Sequence, residues 1–369
     1  MTIPASGPIS STDLQTEFGG QNPINLGDYY AGGIYVGAGT IGTNGPVPAS
    51  GPISLSDFYG TSRLTTTVNY IATQFTTGQY VTSADGITWT ARDFPVALPW
   101  LWVARGTDKW VAFPESGNTA LYSSDGINWT STTLPVSATW STIGYTGTRF
   151  VAAPFGTSTA GVWSDDGINW NVSTLPSGGY FWFRTSGGNG TVIVTTAGNG
   201  VVAKTTDGIN WSVSSAPGGA VYWCNGAYGD GSWSVVPYSN SDTSVTNATL
   251  RSTNNANTWV SGGGLPSAGV WYSVAYAKGN FVTVMLRTAF YGTNPNNRGA
   301  YSSDGGVTWN AVTLPATQEW VGTSYAQPFT NVVTIGLGSN VGLYSTDGGV
   351  NWTQITLPIS GNWNGIAAK

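Results

Sequence analysis

Ser83-Ala-Asp-Gly-Ile-Thr-Trp89 returns as Ser123-Ser-Asp-Gly-Ile-Asn-Trp129, Ser164-Asp-Asp-Gly-Ile-Asn-Trp170 and Thr205-Thr-Asp-Gly-Ile-Asn-Trp211. Three variants follow: Ser252-Thr-Asn-Asn-Ala-Asn-Thr-Trp259, Ser302-Ser-Asp-Gly-Gly-Val-Thr-Trp309 and Ser345-Thr-Asp-Gly-Gly-Val-Asn-Trp352. The closing tryptophans recur every 40 to 50 residues, a period that marks a repeat architecture. The chemistry of the stretch explains itself as a turn. Asp and Ser oxygens accept backbone N–H bonds, Gly takes a positive φ, and Trp buries a large surface beside them. A structural role is therefore expected for Asp85, Asp125, Asp166, Asp207, Asp304 and Asp347, with metal ligation the minor reading.

Outward from each box, short alternating apolar stretches bounded by Gly, Pro, Asn and Asp read as β-strands, and no segment reads as a long amphipathic helix. In the unit Ser123 to Phe155, a strand after the box ends at Leu134-Pro135. A loop of four residues then leads to Trp140, and a Gly turn to Phe150-Val-Ala-Ala-Pro154. Four strands per unit is the blade of a propeller. A tryptophan opens the first strand at Trp100, Trp140, Trp182, Trp223, Trp271, Trp320 and Trp363, and the second strand starts ten residues later at Trp110, Phe150, Trp233 and Phe281. The first unit lacks such an opening tryptophan. The C-terminal Trp363-Asn-Gly-Ile366-Ala is therefore expected to pair with Tyr70 to Gln74, closing a seven-bladed, all-β propeller and removing its exposed edges.

The box resembles the Asp-box, or bacterial neuraminidase repeat, of sialidase-like propellers, with the pattern Ser-x-Asp-x-Gly-x-x-Trp. The last two copies fit it fully, the first four are one residue shorter between Asp and Trp, and Asn254 replaces Asp in the fifth. The resemblance covers about residues 63–369 and implies the fold far more strongly than any activity.

Ile3-Pro-Ala-Ser-Gly-Pro-Ile-Ser10 recurs as Val47-Pro-Ala-Ser-Gly-Pro-Ile-Ser54, followed by Asp13-Leu14 and Asp57-Phe58 respectively. Asn22-Pro-Ile-Asn-Leu-Gly-Asp-Tyr-Tyr30 lies between them. With the terminal Asp57-Phe-Tyr-Gly60, this arrangement resembles a short N-terminal segment of bacteriophage tail proteins. Residues 1–62 are accordingly read as an irregular virion-docking module. The Ser/Asp pairs are expected to cap one or two short helical turns. The Gly/Pro stretch is too poor in apolar residues for an independent core, so order is expected to come from docking on a neighbour.

Composition closes off several classes of chemistry. Of 369 residues only 8% are charged, yet 52 Gly, 18 Trp and 18 Tyr argue against disorder. Twelve Lys and Arg against a net charge of -5 give no basic stripe for nucleic acid. No apolar run approaches about 18 residues and no charged-then-apolar leader follows Met1, so neither a membrane span nor a signal peptide is expected. Cys224 is the one cysteine and histidine is absent, which excludes an intrachain disulfide and Ser-His-Asp, Cys-His and zinc-hydrolase schemes within the chain. No cofactor and no metal site are expected.

The sialidase resemblance implies three arginines on a substrate carboxylate, a Tyr activated by Glu, and an Asp acid. The sequence departs from it. Its only Glu residues are Glu17, Glu115 and Glu319, the early Arg-Ile-Pro element is missing, and of the arginines Arg105 alone is read into a first-strand position. Glycoside hydrolysis in general needs two carboxylates about 5–10 Å apart, and few lie outside the boxes.

Binding is the favoured reading. The opening tryptophans, Trp271 and Trp320 among them, either face the channel as platforms for sugar rings or pack between blades, and packing is the stronger alternative. The insertions Pro237 to Asn247 and Arg287 to Arg298 depart from the repeat between second and third strands, on the face opposite the boxes. Tyr238, Arg287, Phe290, Tyr291, Asn294 and Arg298 are therefore the candidate ligand-binding residues, joined by Trp271 and Trp320. The expectation is a non-enzymatic phage tail fibre or adhesin, located in the virion tail and present in several copies or as a trimer. It would bind other tail proteins through residues 1–62 and a host-surface glycan or protein through the propeller. A structural tail or baseplate component and a glycan-cleaving tail enzyme are the alternatives.

Overall fold

In a computed structural model, the structure describes all residues except 1–2, 4–5, 7, 19–24, 31–35, 37–40, 60–67, 76–77, 219–220, 240–245, 290–293 and 326–330. The chain divides into two compact units, Met1–Thr66 and Thr67–Lys369.

In the first unit the duplicated sequence makes a duplicated structure. The Ser10 N–H donates to Asp13 Oδ2 (2.6 Å) where the helix Ser11–Phe18 begins, and the Ser54 N–H donates to Asp57 Oδ2 (2.7 Å) at the 3-10 turn Leu55–Phe58. Each acid thus satisfies a donor that a helix start leaves orphaned. Contrary to the expectation of a coreless segment, Ile3, Leu14, Phe18, Tyr29, Val36, Val47 and Phe58 form a buried cluster. The apolar residues are sparse in sequence, but each short element contributes one or two, and they converge.

The second unit is all-β, as expected. Among the described residues it holds five four-stranded antiparallel sheets and one seven-stranded sheet. The seven-stranded sheet corrects the reading of residues 136–139 as a loop. Thr130–Tyr145 is one continuous strand, because Ser116 and Gly117 extend the neighbouring strand and pair with Thr139 and Ala138. That pairing fuses two four-stranded units. The C-terminal strand Trp363–Ala368 pairs antiparallel with Tyr70–Gln74, as its sequence position predicts. First strands of successive sheets lie side by side, and Trp363–Ala368 lies against both Trp320–Tyr325 and Trp100–Arg105.

Register places the boxes and the opening tryptophans at opposite ends of the sheets. Trp140 pairs with Pro154, while Tyr145 pairs with Phe150, which pairs in turn with the box residue Ser164. The box turns are built as their composition predicts. Asp125 Oδ1 accepts the N–H groups of Ile127 and Asn128 (2.8 Å each), and the Gly126 N–H donates to Ser123 Oγ (2.8 Å). The glycine is required on two counts. Gly86 has φ +76°, and a Cβ there would meet Val333 Cγ2 at 2.7 Å.

Candidate functional site

Loops that join second to third strands meet the starts of the first strands at the end away from the boxes. There a cavity of about 410 Å³ is lined by Phe75, Tyr238, Tyr272, Leu286, Arg287, Val321, Leu337, Asn362, Trp363 and Asn364. A second cavity of the same volume runs between the first strands and takes lining from all seven of them, including Trp102, Arg105, Thr142, Thr185, Asn225, Ser273 and Thr323. Tyr272 and Asn364 line both, so the two cavities share a wall, the first forming a mouth at the loop end and the second a channel between the first strands.

Arg287 Nη2 lies 2.9 Å from Glu319 Oε2, and Glu319 Oε1 accepts the Asn294 N–H at 2.9 Å. The Glu319 side chain is 8% exposed and that of Arg287 26%. Both carboxylate oxygens are thus committed to holding the guanidinium and the inserted loop in place. Tyr238 packs edge-on to Phe183, ring centroids 5.3 Å apart, and Phe183 is part of an aromatic arc with Phe155, Phe181 and Tyr222.

Behind the wall shared by the two cavities sits Arg184, 7% exposed. Its Nη1 donates to the Phe183 carbonyl (3.1 Å), its Nη2 donates to the Tyr272 hydroxyl (2.9 Å), and its Nε has no partner. The guanidinium carbon lies 4.6 to 5.2 Å from the ring centroids of Phe183, Trp102 and Tyr272. Burial pushes the Tyr272 phenol and the Cys224 thiol up from their ordinary values, so neither supplies a negative charge at neutral pH. The thiol donates to the Tyr272 carbonyl at 2.9 Å.

Of the residues expected to bind ligand, Tyr238 and Arg287 line the mouth, and Asn294 lies beside them through its bond to Glu319. Phe290 and Tyr291 lie outside the described residues. Arg298 lines a separate cavity of about 340 Å³ with Trp271; it lies on the third strand opposite Thr313 of the fourth, whereas Arg287 pairs with Val270 of the first. Trp271 and Trp320 are 0% exposed, with Nε1 donating to the carbonyls of Ser267 (3.2 Å) and Asn296 (2.9 Å). They are packing residues, not sugar platforms. Arg105 is not the only arginine on a first strand. Arg184 lies on Trp182–Gly188. Sequence reasoning passed over Tyr272 and Asn364, although each directly follows an opening tryptophan and is polar where Leu101 and Val321 are apolar.

The sequence matches no family model and no curated protein. Among solved structures the chain is similar to a streptogramin B lyase, with 13% identity, coverage of 81% of this chain and 91% of that one, and a TM-score of 0.60. It is similar to a Staphylococcus aureus virginiamycin B lyase, described as a catalytically inactive histidine-to-alanine variant with quinupristin. Identity there is 12%, coverage 79% and 96%, and the TM-score 0.57. YCF48 bound to D1 peptide gives 16% identity, coverage of 78% and 85%, and a TM-score of 0.52. These likenesses establish a β-propeller fold, in company that includes enzymes and a peptide-bound protein.

Proposed function

We propose that the chain is a seven-bladed Asp-box propeller, closed by its C-terminal strand, and a non-enzymatic bacteriophage tail protein that binds a host-surface glycan through the mouth cavity. The ring reading is supported by the pairing of Trp363–Ala368 with Tyr70–Gln74 and by its contacts with the first strands on either side. The tail reading is supported by the doubled Pro-Ala-Ser-Gly-Pro-Ile-Ser element, each copy opening a helical turn. Residues 1–62 then attach it to other tail proteins.

The mouth itself carries the binding proposal. Phe75, Tyr238 and Tyr272 surround a cavity that also presents Asn362, Asn364 and Arg287, the combination of aromatic faces and planar polar groups that suits sugar rings and their hydroxyls. Two observations favour binding over cleavage. One neighbouring lyase is inactive without a histidine, and this chain has none. Glu319, the buried carboxylate that holds the mouth residue Arg287, is occupied on both oxygens by Arg287 and Asn294.

The test applies full-length protein to an array of bacterial envelope polysaccharides. Wild type is expected to bind a defined subset without releasing reducing sugar, and Tyr238→Ala is expected to weaken that binding by about tenfold or more, the loss typical of a central aromatic contact. Binding that Tyr238→Ala leaves intact sinks the mouth assignment, and sugar release sinks the non-enzymatic one.

A further inference from the structure

Tyr272 and Asn364, which both line the mouth, are joined by a hydrogen bond whose direction can be read. A guanidinium only donates, so the Tyr272 oxygen accepts from Arg184 Nη2 at 2.9 Å and gives its one proton to Asn364 Oδ1, 2.7 Å away. That orients the amide. Oδ1 is committed to the phenol, and Nδ2 is the end left over. Among the described residues Nδ2 has no partner, and it is not sealed in the interior as Arg184 Nε is. A half-buried NH₂ on a cavity-lining residue, with nothing to donate to, is a feature to explain.

The rest of the lining narrows what that NH₂ donates to. Phe75, Leu286, Val321 and Leu337 are apolar, and among the described residues no carboxylate lines the mouth. A group that fills this space therefore presents an acceptor to Asn364, offers a small apolar surface to the side walls, and carries no positive charge. A sugar hydroxyl brings no apolar surface, and a sugar ammonium meets none of the three requirements. An acetamido group meets them all, because its carbonyl accepts, its methyl is apolar and it is neutral.

We propose that the mouth selects N-acetylated sugars, with the acetamido carbonyl accepting from Asn364 Nδ2 and the methyl packing on Val321 and Leu337. Arg184 and Tyr272 are positioning residues, which fix the amide so that it offers a donor. The assignment rests on the mouth being a glycan site and names the glycans that it takes.

The test takes the full chain and the envelope polysaccharides that it binds, each in three forms: native, de-N-acetylated with alkali, and re-N-acetylated with acetic anhydride. Affinity is expected to fall about tenfold or more on de-N-acetylation, through loss of one hydrogen bond and one buried methyl. It is expected to return on re-N-acetylation, which restores the amides but not the O-acetyl esters that alkali also removes. Asn364→Asp replaces the free donor with an acceptor at nearly constant size. That variant is expected to bind the native form about tenfold or more weakly and to prefer the de-N-acetylated one, an inversion that a damaged fold does not produce. Four results overturn the proposal and leave the glycan reading standing: bound polysaccharides without N-acetyl groups, affinity indifferent to de-N-acetylation, a loss that re-N-acetylation does not repair, or an unchanged preference in Asn364→Asp. Binding of no polysaccharide, or binding that Tyr238→Ala leaves intact, overturns the glycan reading of the mouth and this proposal with it.

Discussion

Asp166 at the box end of its sheet accepts the N–H groups of Ile168 and Asn169 at 2.8 Å each, the Asn169 side chain at 2.8 Å and the Ser164 hydroxyl at 3.0 Å. Ser273 and Thr323, toward the other end, carry buried hydroxyls with no partner, and Arg184 nearby leaves Nε unpaired. The first kind of polar group closes on its own loop within three residues and depends on nothing outside it. The second kind is held in place by the scaffold and left with spare hydrogen-bonding capacity. A repeat protein can afford this division because six acidic copies of one self-contained turn secure one end, which frees the other to vary from sheet to sheet.

The comparison is broken most severely by removing residues 363–369. That deletion takes away the fully buried Trp363 and leaves Tyr70–Gln74 with an unpaired edge. It also strips the flanking strands Trp320–Tyr325 and Trp100–Arg105 of a neighbour. A buried Trp alone contributes about 3–5 kcal/mol against Ala, and whole domains are stable by only about 5–15 kcal/mol. The truncated chain is expected to lose its cooperative urea transition, followed by tryptophan fluorescence. A sharp transition near the wild-type midpoint is the contrary result, and it would mean that the last strand is an accessory of the mouth and not part of the frame.

The legibility of the two ends differed for the same physical reason. The boxes repeat because a turn that satisfies itself works identically in every sheet, so Asp, Gly and Trp could be assigned roles from Ser83 to Trp352 without coordinates. Strand order and the pairing of Trp363–Ala368 followed from that period. The channel chemistry was hidden in the bulges. Whether the residue after an opening tryptophan faces the channel, a neighbouring sheet or the mouth depends on a one-residue shift, and no sequence pattern announces it. The small N-terminal core escaped notice because Leu14, Tyr29, Val47 and Phe58 come from separate short elements with no shared periodicity.

Acid sharpens the comparison at intermediate magnitude. Burial pushes the Asp166, Asp207 and Asp304 carboxyls up, but the hydrogen bonds of their turns outweigh it and bring each down to about 2. A folded value below the unfolded value of about 3.9 means stabilisation that is complete above pH ~5 and lost as pH falls from there toward ~2. Stability measured by urea is therefore expected to be flat from neutrality to about pH 5 and to drop below it. Asp166→Ala, which removes hydrogen bonds to a half-buried charge, is expected to cost about 1–2 kcal/mol at pH 7 and to make the acid limb shallower. Because the turn is self-contained, mouth binding should be unchanged. An Asp166→Ala protein as stable as wild type at pH 7 and equally acid-labile removes the structural assignment of the boxes.

The smallest effect belongs to the fifth box, where Asn255 (φ +55°) and Ala256 (φ +61°) stand in the places of Gly305 (φ +74°) and Gly306 (φ +84°). The hydrogen bond survives the exchange. The Ala256 N–H donates to Ser252 Oγ at 3.0 Å, as the Gly306 N–H does to Ser302 Oγ at 2.9 Å. A left-handed backbone costs an L-residue roughly 1–2 kcal/mol, which Ala256→Gly would relieve. Against that stand about 0.5–1 kcal/mol for the greater freedom of an unfolded glycine and about 0.8 kcal/mol for the buried methyl. These nearly cancel, so Ala256→Gly is expected to shift stability by less than about 0.5 kcal/mol, whereas Gly306→Ala drives its Cβ to 3.2 Å from Ser234 Oγ, a crowding that offsets the gain from burial, and is expected to cost about 1–2 kcal/mol. Urea midpoints at constant slope measure both. If Ala256→Gly moves the midpoint as far as Gly306→Ala does, the fifth turn is not the self-contained equivalent of its neighbours, and the strain at Ala256 is being held by the sheet around it.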